Sequence, residues 1–187
     1  MIEIFNKISA RQIKAIMKHQ QWADIFDFLG LNGEKRWQEY RALSEFVEMR
    51  GIHRYALNHC NKLIQNISVD VVNEIPSNWF NYTRLDVDNE TRKNYVKKIY
   101  EDWFKWETET KGFLEEQFKT LTENHKIADA NKVNCLIEDV DQELKHLTRK
   151  LIEYKAVNYD LDYIMYCQPE MHEYYKQKTK ELGVDIS

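Results

Sequence analysis

Apolar residues recur at steps of three and four over most of the chain, the spacing of one helix face. They predict a helix over roughly 8–29, with Ser9 as an early cap, and a second over roughly 34–67. Gly30 and Gly33 in LGLNG mark the tight turn between them. The apolar seam of the second helix reads Phe46, Met49, His53, Ala56, Cys60, Leu63 and Ile67, a heptad rhythm. Residues 68–88 break the pattern over a length that can cross a bundle from end to end. Asp88 or Asn89 then caps a helix over about 90–124, with a stripe of Tyr95, Ile99, Trp103, Trp106, Phe113 and Leu121. After a short turn, NHKIADAN, a fourth helix over about 129–157 carries Val133, Leu136, Val140, Leu144, Leu147 and Leu151. An aromatic stretch leads to a last short helix that begins at Pro169 and stops at Gly183. Hairpin, long crossover, hairpin is an all-α four-helix bundle with a long connection between its second and third helices. The expected division is a bundle over 1–158 and an aromatic C-terminal segment over 159–187.

The first helix is apolar on two faces. Ile13, Ile16 and Met17 form one, and Trp22, Ile25, Phe26 and Leu29 form the other. A helix apolar all round is buried on all sides. The second face therefore needs a cover: the C-terminal segment, a second copy, or a protein partner. On that ground Trp22, Ile25, Phe26 and Leu29 are the candidate protein-binding residues.

Composition narrows the function classes. With only 5 glycines and 2 prolines in 187 residues, long uninterrupted helices are favoured. A formal charge of −4 argues against general nucleic-acid binding, which needs a basic face. Three cysteines with no CxxC suggest reduced thiols in a cytoplasm and disfavour a Cys-based zinc site. No apolar run approaches the length of a membrane span or a signal peptide. GLNGEK lacks the phosphate-loop spacing, and no nucleophile motif occurs.

One motif carries candidate chemistry. In EDVDQELKHL, Glu143 and His146 stand three apart, as a Glu-x-x-His metal half-site would. Against this, Glu143 lies roughly 60° and His146 roughly 120° from the centre of the fourth-helix stripe at about 100° per residue. The competing reading is a pair of boundary polar side chains, with Lys145 or Lys150 as partner.

FDFLGLNGEKRW, KWETETKGFLEEQF and NCLIEDVDQELKHLTRKL together resemble the hairpin turn, third helix and fourth helix of the ferritin-like superfamily, and bacterial and phage members in particular. The resemblance covers about residues 8–157. It implies two divalent ions bridged by four carboxylates and capped by two imidazoles. On that pattern Glu107, Glu143 and His146 match, and Glu45 falls near a glutamate position. Met49 falls where the pattern has a histidine, and Gln12 falls near the helix-one glutamate. His53, Asp24 and Asp27 are candidate substitutes, although a histidine on an apolar seam is more often a satisfied core residue. Glu107, among alternating charges, reads by default as solvated.

Two functions follow. The first is a non-catalytic bundle with an eroded diiron site and no cofactor, binding a protein partner or itself, as a phage-type accessory or inhibitor of a host system would. The second is an iron-binding protein or diiron oxidoreductase with a non-standard ligand set at Glu107, Glu143, His146, His53 and Glu45.

Overall fold

The computed structural model describes residues 2–65, 70, 73–75 and 87–183. Five helices follow one another: α1 (Ile2–Phe28), α2 (Asn32–Cys60), α3 (Asn89–Glu123), α4 (Ile127–Ala156) and α5 (Leu161–Glu181). The first four form the ferritin-like bundle that the hydrophobic pattern predicts, and α5 packs on α2.

The turns explain themselves locally. At the end of α1, Gly30 takes φ +78°, and Leu31 and Gly30 donate their N–H groups back to Phe26 and Asp27 carbonyls. That is a Schellman ending, which places a left-handed residue just past the helix. His125 fills the same role after α3 at φ 56°, with Lys126 N–H reaching the Leu121 carbonyl. Asp88 caps α3 by accepting from Thr91 N–H, and Asp160 caps α5 by accepting from Tyr163 N–H. Gly183 stops α5 at φ 80°.

Cross-helix contacts set the topology. Glu34 meets Tyr100, and Trp37 meets both Tyr100 and Trp103, so α2 and α3 run parallel. Parallel neighbours oblige the connection between them to return along the bundle. Its described residues lie beside α1: Gln65 donates its N–H to Asn6, and Glu74 accepts from Lys18 and donates its N–H to Gln21.

The core is in two apolar parts. One surrounds Trp22, Phe26, Trp37, Tyr100, Trp103, Leu147 and Tyr154. The other surrounds Phe5, Ile8, Ile52, Leu114, Leu121, Val133 and Leu136. Between them along every bundle helix lies a buried polar residue: His19 on α1, Arg41 and Glu45 on α2, Glu107 on α3 and Glu143 on α4.

Several expected positions move. Ser9 is not a cap; it is buried inside α1 and hydrogen-bonded to His53 Nε2 at 2.7 Å. α2 ends at Cys60, where Asn61 takes the left-handed conformation, and Ile67 lies outside the described residues. Its expected seam is also wrong, since Phe46 and Leu63 are exposed and the buried stripe runs through Trp37, Gln38, Arg41, Glu45, Ile52 and Ala56. α5 begins eight residues before Pro169, which sits inside it. Trp22, Ile25, Phe26 and Leu29 are buried within the chain itself, no more than 2% exposed. They belong to one buried cluster with residues of α2, α3, α4 and the Tyr159–Ile164 region, so they present no surface to a partner. The exposed side of α1 carries Met17 instead, with Ile13 and Ile16 half-buried.

Gly33 is the point of closest approach between α2 and α5. A Cβ there would stand 2.6 Å from the Gln168 carbonyl and 2.8 Å from Met171 Cβ. Gln168 Oε1 accepts from the N–H groups of Gly33 and Glu34, satisfying orphan donors at the start of α2. Gly33→Ala is therefore expected to push α5 off α2 and cost about 1–3 kcal/mol by overpacking. A urea denaturation midpoint unchanged from wild type would refute this.

Candidate metal centre

α1 buries a stripe through Phe5, Ile8, Gln12, Ala15, His19, Trp22 and Phe26. The stripe is apolar at its ends and polar at Gln12 and His19. His19 is fully buried between Trp22 and Trp103, whose rings meet it edge-on at centroid distances of 5.4 and 5.2 Å. Its Nδ1 pairs with Gln38 Oε1 at 2.7 Å. With an amide oxygen as acceptor the imidazole proton sits on Nδ1, so Nε2 offers a bare lone pair. That nitrogen is buried and makes no hydrogen bond. It faces Glu107 Oε1 at 3.9 Å, too long for a hydrogen bond. The His19 pKa is pushed down to about 3 by burial and by the nearby Arg41 charge, so the ring is neutral at any ordinary pH.

Glu107 is 1% exposed, held by the Trp103 indole N–H at 3.1 Å. Glu45 joins the pair from α2. One ligand atom from each of His19, Glu45 and Glu107 lies within 4.8 Å of the other two. A transition-metal ion holds nitrogen and oxygen ligands at about 2.0–2.2 Å, so donors of one ion stand a few ångströms apart, as these do. Beside the triad, a cavity of about 20 Å³ is lined by Gln12, Glu45, Glu48 and Glu107 among others. That is room for one small occupant.

Arg41 lies against this group. Its Nη2 donates to Glu45 Oε1 at 2.8 Å, and its Nε lies 3.7 Å from Glu143 Oε1. Burial works against the guanidinium charge, but Glu143, Glu45, Glu107 and Glu48 together outweigh it and hold Arg41 firmly protonated. The carboxyls feel the opposite balance. Burial raises Glu107 and Glu48 to about 7 despite Arg41. Burial, with Glu48 beside it, lifts Glu45 well above the usual range, and burial lifts Glu143. The cluster is short of positive charge.

The residues singled out from the sequence divide clearly. Glu45, Glu107 and Glu143 do converge, and Gln12 lies with them. The expectation that Glu107 is solvated is wrong, because the Trp103 indole claims its carboxylate in the interior. Glu143 pairs with Arg41 instead of Lys145 or Lys150. His146 is exposed and does not reach the cluster; it lines a surface groove instead. His53 is half-buried and tied to Ser9, away from the triad. Asp24 is exposed, and Asp27 pairs with Lys35 at 3.4 Å. Counted from Glu45, the imidazole position of a Glu-x-x-His pair is Glu48 and not Met49 as expected, and Glu48 borders the cavity. The imidazole of the triad comes from His19 on the first helix, which the apolar pattern gave no reason to select.

Comparison with known proteins agrees on the fold. No protein-family model and no curated relative matches the sequence. Solved structures do. An open-pore ferritin from the hyperthermophilic archaeon Archaeoglobus fulgidus superposes with a TM-score of 0.75 at 15% identity, over 92% of this chain and 95% of that one. A closed form of the same ferritin made by mutagenesis gives 0.75 and 15%, over 92% and 94%. A humanized archaeal ferritin gives 0.73 and 14%, over 92% and 94%. The fold is therefore ferritin-like. No helix among the described residues is long and apolar enough to cross a membrane.

The raised carboxyl groups make the metal-free protein sensitive to alkali. Glu48 and Glu107 titrate near 7 in the fold against 4.5 for the free side chain, so the fold binds more protons than the unfolded chain between those values. Their stabilisation is complete below pH 4.5 and lost as pH rises through 7. His19, depressed from 6.5 to about 3, works in the other direction but only below pH 6.5. Between pH 6.5 and 8 the carboxyls act alone. Urea denaturation in the presence of a chelator should show wild type losing stability over that window, and Glu48→Gln/Glu107→Gln losing less. Parallel pH profiles for the two proteins would contradict it.

Proposed function

We propose that this protein binds a divalent transition-metal ion, iron in the first instance, at His19, Glu45 and Glu107. The observation that carries the reading is the bare, fully buried Nε2 of His19 facing a buried carboxylate oxygen across 3.9 Å with no hydrogen bond between them. One imidazole and two carboxylates suit Fe(II), Mn(II) or Zn(II). The ferritin-like fold of the neighbouring structures favours iron.

The chain's own residues prepare the site. Gln38 fixes the tautomer and orientation of His19, the role a second ligand shell plays in metal proteins. Trp103 holds Glu107 by one oxygen. The walls of Trp22 and Trp103 exclude water from the His19 side. Burial favours the protonated form of Glu107 and Glu45, and binding a cation there would release protons. A bound iron ion would supply a one-electron redox couple and a Lewis acid within an apolar shell. The ferritin-like arrangement also suits self-association into a homo-oligomer. The reading of a partner-binding bundle without metal loses the Trp22 face, one of its supports.

Anaerobic titration with Fe(II), followed by elemental analysis, tests the reading. Wild type should retain iron after desalting. His19→Ala and Glu107→Gln should lose it while keeping their helical circular dichroism. Gln38→Leu should weaken binding by about 10- to 100-fold. His146→Ala, on the exposed side of α4, should bind as wild type does. Iron retained by His19→Ala, or lost only in His146→Ala, would rule the site out.

A further inference from the structure

The triad leaves part of the polar layer unexplained. Glu143 is 7% exposed, yet its Oε1 makes no hydrogen bond. Among the described residues, the charged group nearest that atom is the Arg41 guanidinium, whose Nε is also without a hydrogen bond. Glu48, two turns beyond Arg41, lines the same groove as Arg41 and Glu143, while Glu45 contacts the guanidinium directly. A groove of about 470 Å³ runs from the surface at Asp139, His146 and Lys178 to Arg41, Glu48 and Glu143. This side of the layer is open to ions from solution, whereas His19 is sealed behind tryptophans.

We propose that Arg41 is a built-in cation: its guanidinium occupies a second metal position bounded by Glu45, Glu48 and Glu143, and thereby limits the centre to one ion. The inference rests on the triad's being a metal site and adds how many ions the centre holds.

Charge supports the assignment. Glu45, Glu48, Glu107 and Glu143 bring four negative charges when ionised. Arg41 offsets one, and Arg11, stacked over Trp106 at 4.1 Å at the edge of the cavity, offsets a second. One divalent ion at the triad brings the layer to neutrality, and a second would leave it carrying two uncompensated positive charges in a buried setting, which is costly. Geometry supports it as well. The guanidinium contacts Glu45 and Glu143 at 2.8 and 3.7 Å with its Nη2 and Nε. A planar cation reaching carboxylates on two helices is a bridging arrangement, as a divalent ion's would be. Unlike a metal ion, it is tethered to α2 and cannot leave or change oxidation state.

Removing the guanidinium should therefore create a second site. The test is equilibrium dialysis against Mn(II) under nitrogen, with elemental analysis and electron paramagnetic resonance, on wild type, Arg41→Lys, Arg41→Gln and Arg41→Met. Wild type and Arg41→Lys should hold one ion per chain. Arg41→Gln and Arg41→Met should hold two, with the exchange-coupled signal of a close Mn(II) pair. Adding Glu143→Gln to Arg41→Gln should return the count to one. If Arg41→Met is unfolded in metal-free buffer, Mn(II) should restore its helical circular dichroism, because the ion replaces the lost charge. Failure of Mn(II) to do so, or one ion in a folded Arg41→Gln, would overturn the role of Arg41 while leaving the triad intact. Two ions in wild type would overturn it as well. No Mn(II) in wild type or in any variant would instead overturn the metal reading on which it rests.

Discussion

Burying the Arg41 guanidinium between two apolar half-cores costs several kcal/mol of lost hydration, and only close carboxylates can recover it. The carboxylates come from α2, α3 and α4, and α1 adds a neutral imidazole beside them. α2 gives Arg41 and Glu45 one turn apart, α4 gives Glu143, α3 gives Glu107 and α1 gives His19. Each carboxylate alone would be destabilising in that interior and would hold its proton. Together with Arg41 they form a layer that fixes the relative heights of the helices, since a shift of one turn in any of them would leave a buried charge without a partner. Apolar layers above and below tolerate sliding far better, because hydrophobic contact is not directional. The polar layer thus sets the register of the bundle, and the same geometry underlies the cation site proposed for it.

A second polar tie sits near the start of α2. Glu34 is fully buried, and the hydroxyls of Tyr100 and Tyr154 donate to its two carboxylate oxygens. Burial pushes its pKa up and the two tyrosines push it down, with burial the larger. Here the partners are neutral donors from α3 and α4, and no imidazole faces the carboxyl. The contrast separates two uses of a buried glutamate in one protein. At Glu34 both oxygens are satisfied and the group closes the top of the bundle. At Glu143 an oxygen is left over, and at His19 a nitrogen is, and on these two atoms the proposed centre is built.

The bundle was legible in the sequence because its apolar ends obey helical spacing. The α3 and α4 stripes through Ile99, Trp103, Leu121, Val133, Leu136, Val140, Leu147 and Leu151 are the buried ones. The inner face of α2 was not legible. It carries Glu34, Gln38, Arg41 and Glu45 at buried positions, so a search for apolar periodicity turns to the other face and finds Phe46 and Leu63 in solvent. The same polar substitution within α1 hid His19 and made the Trp22 side look like a surplus face. The clue available was conflict: charged residues three and four apart on a helix with tryptophan at the same spacing, as in Trp37, Arg41 and Glu45 or Trp103 and Glu107. Glu143 was read as a border residue because angular position alone does not reveal an arginine on the facing helix.

The C-terminal helix bears on the centre through aromatic contacts. Tyr175 of α5 stacks on Trp37 at 5.1 Å with rings 9° from parallel, and Trp37 meets Trp103 edge-on at 4.8 Å. Trp103 in turn holds Glu107 through its indole N–H. Three rings therefore stand in series between α5 and a candidate metal ligand, each making offset or edge-on contacts that favour a defined geometry. Densely packed side chains transmit displacement because there is little free volume to absorb it. Gln168, from the same helix, caps the start of α2 four residues before Trp37. α5 thus fixes α2 at its first turn and the indole of Trp103 through Trp37. The placement of Glu107 depends on a helix whose nearest aromatic side chain is two rings away from the carboxylate's own partner.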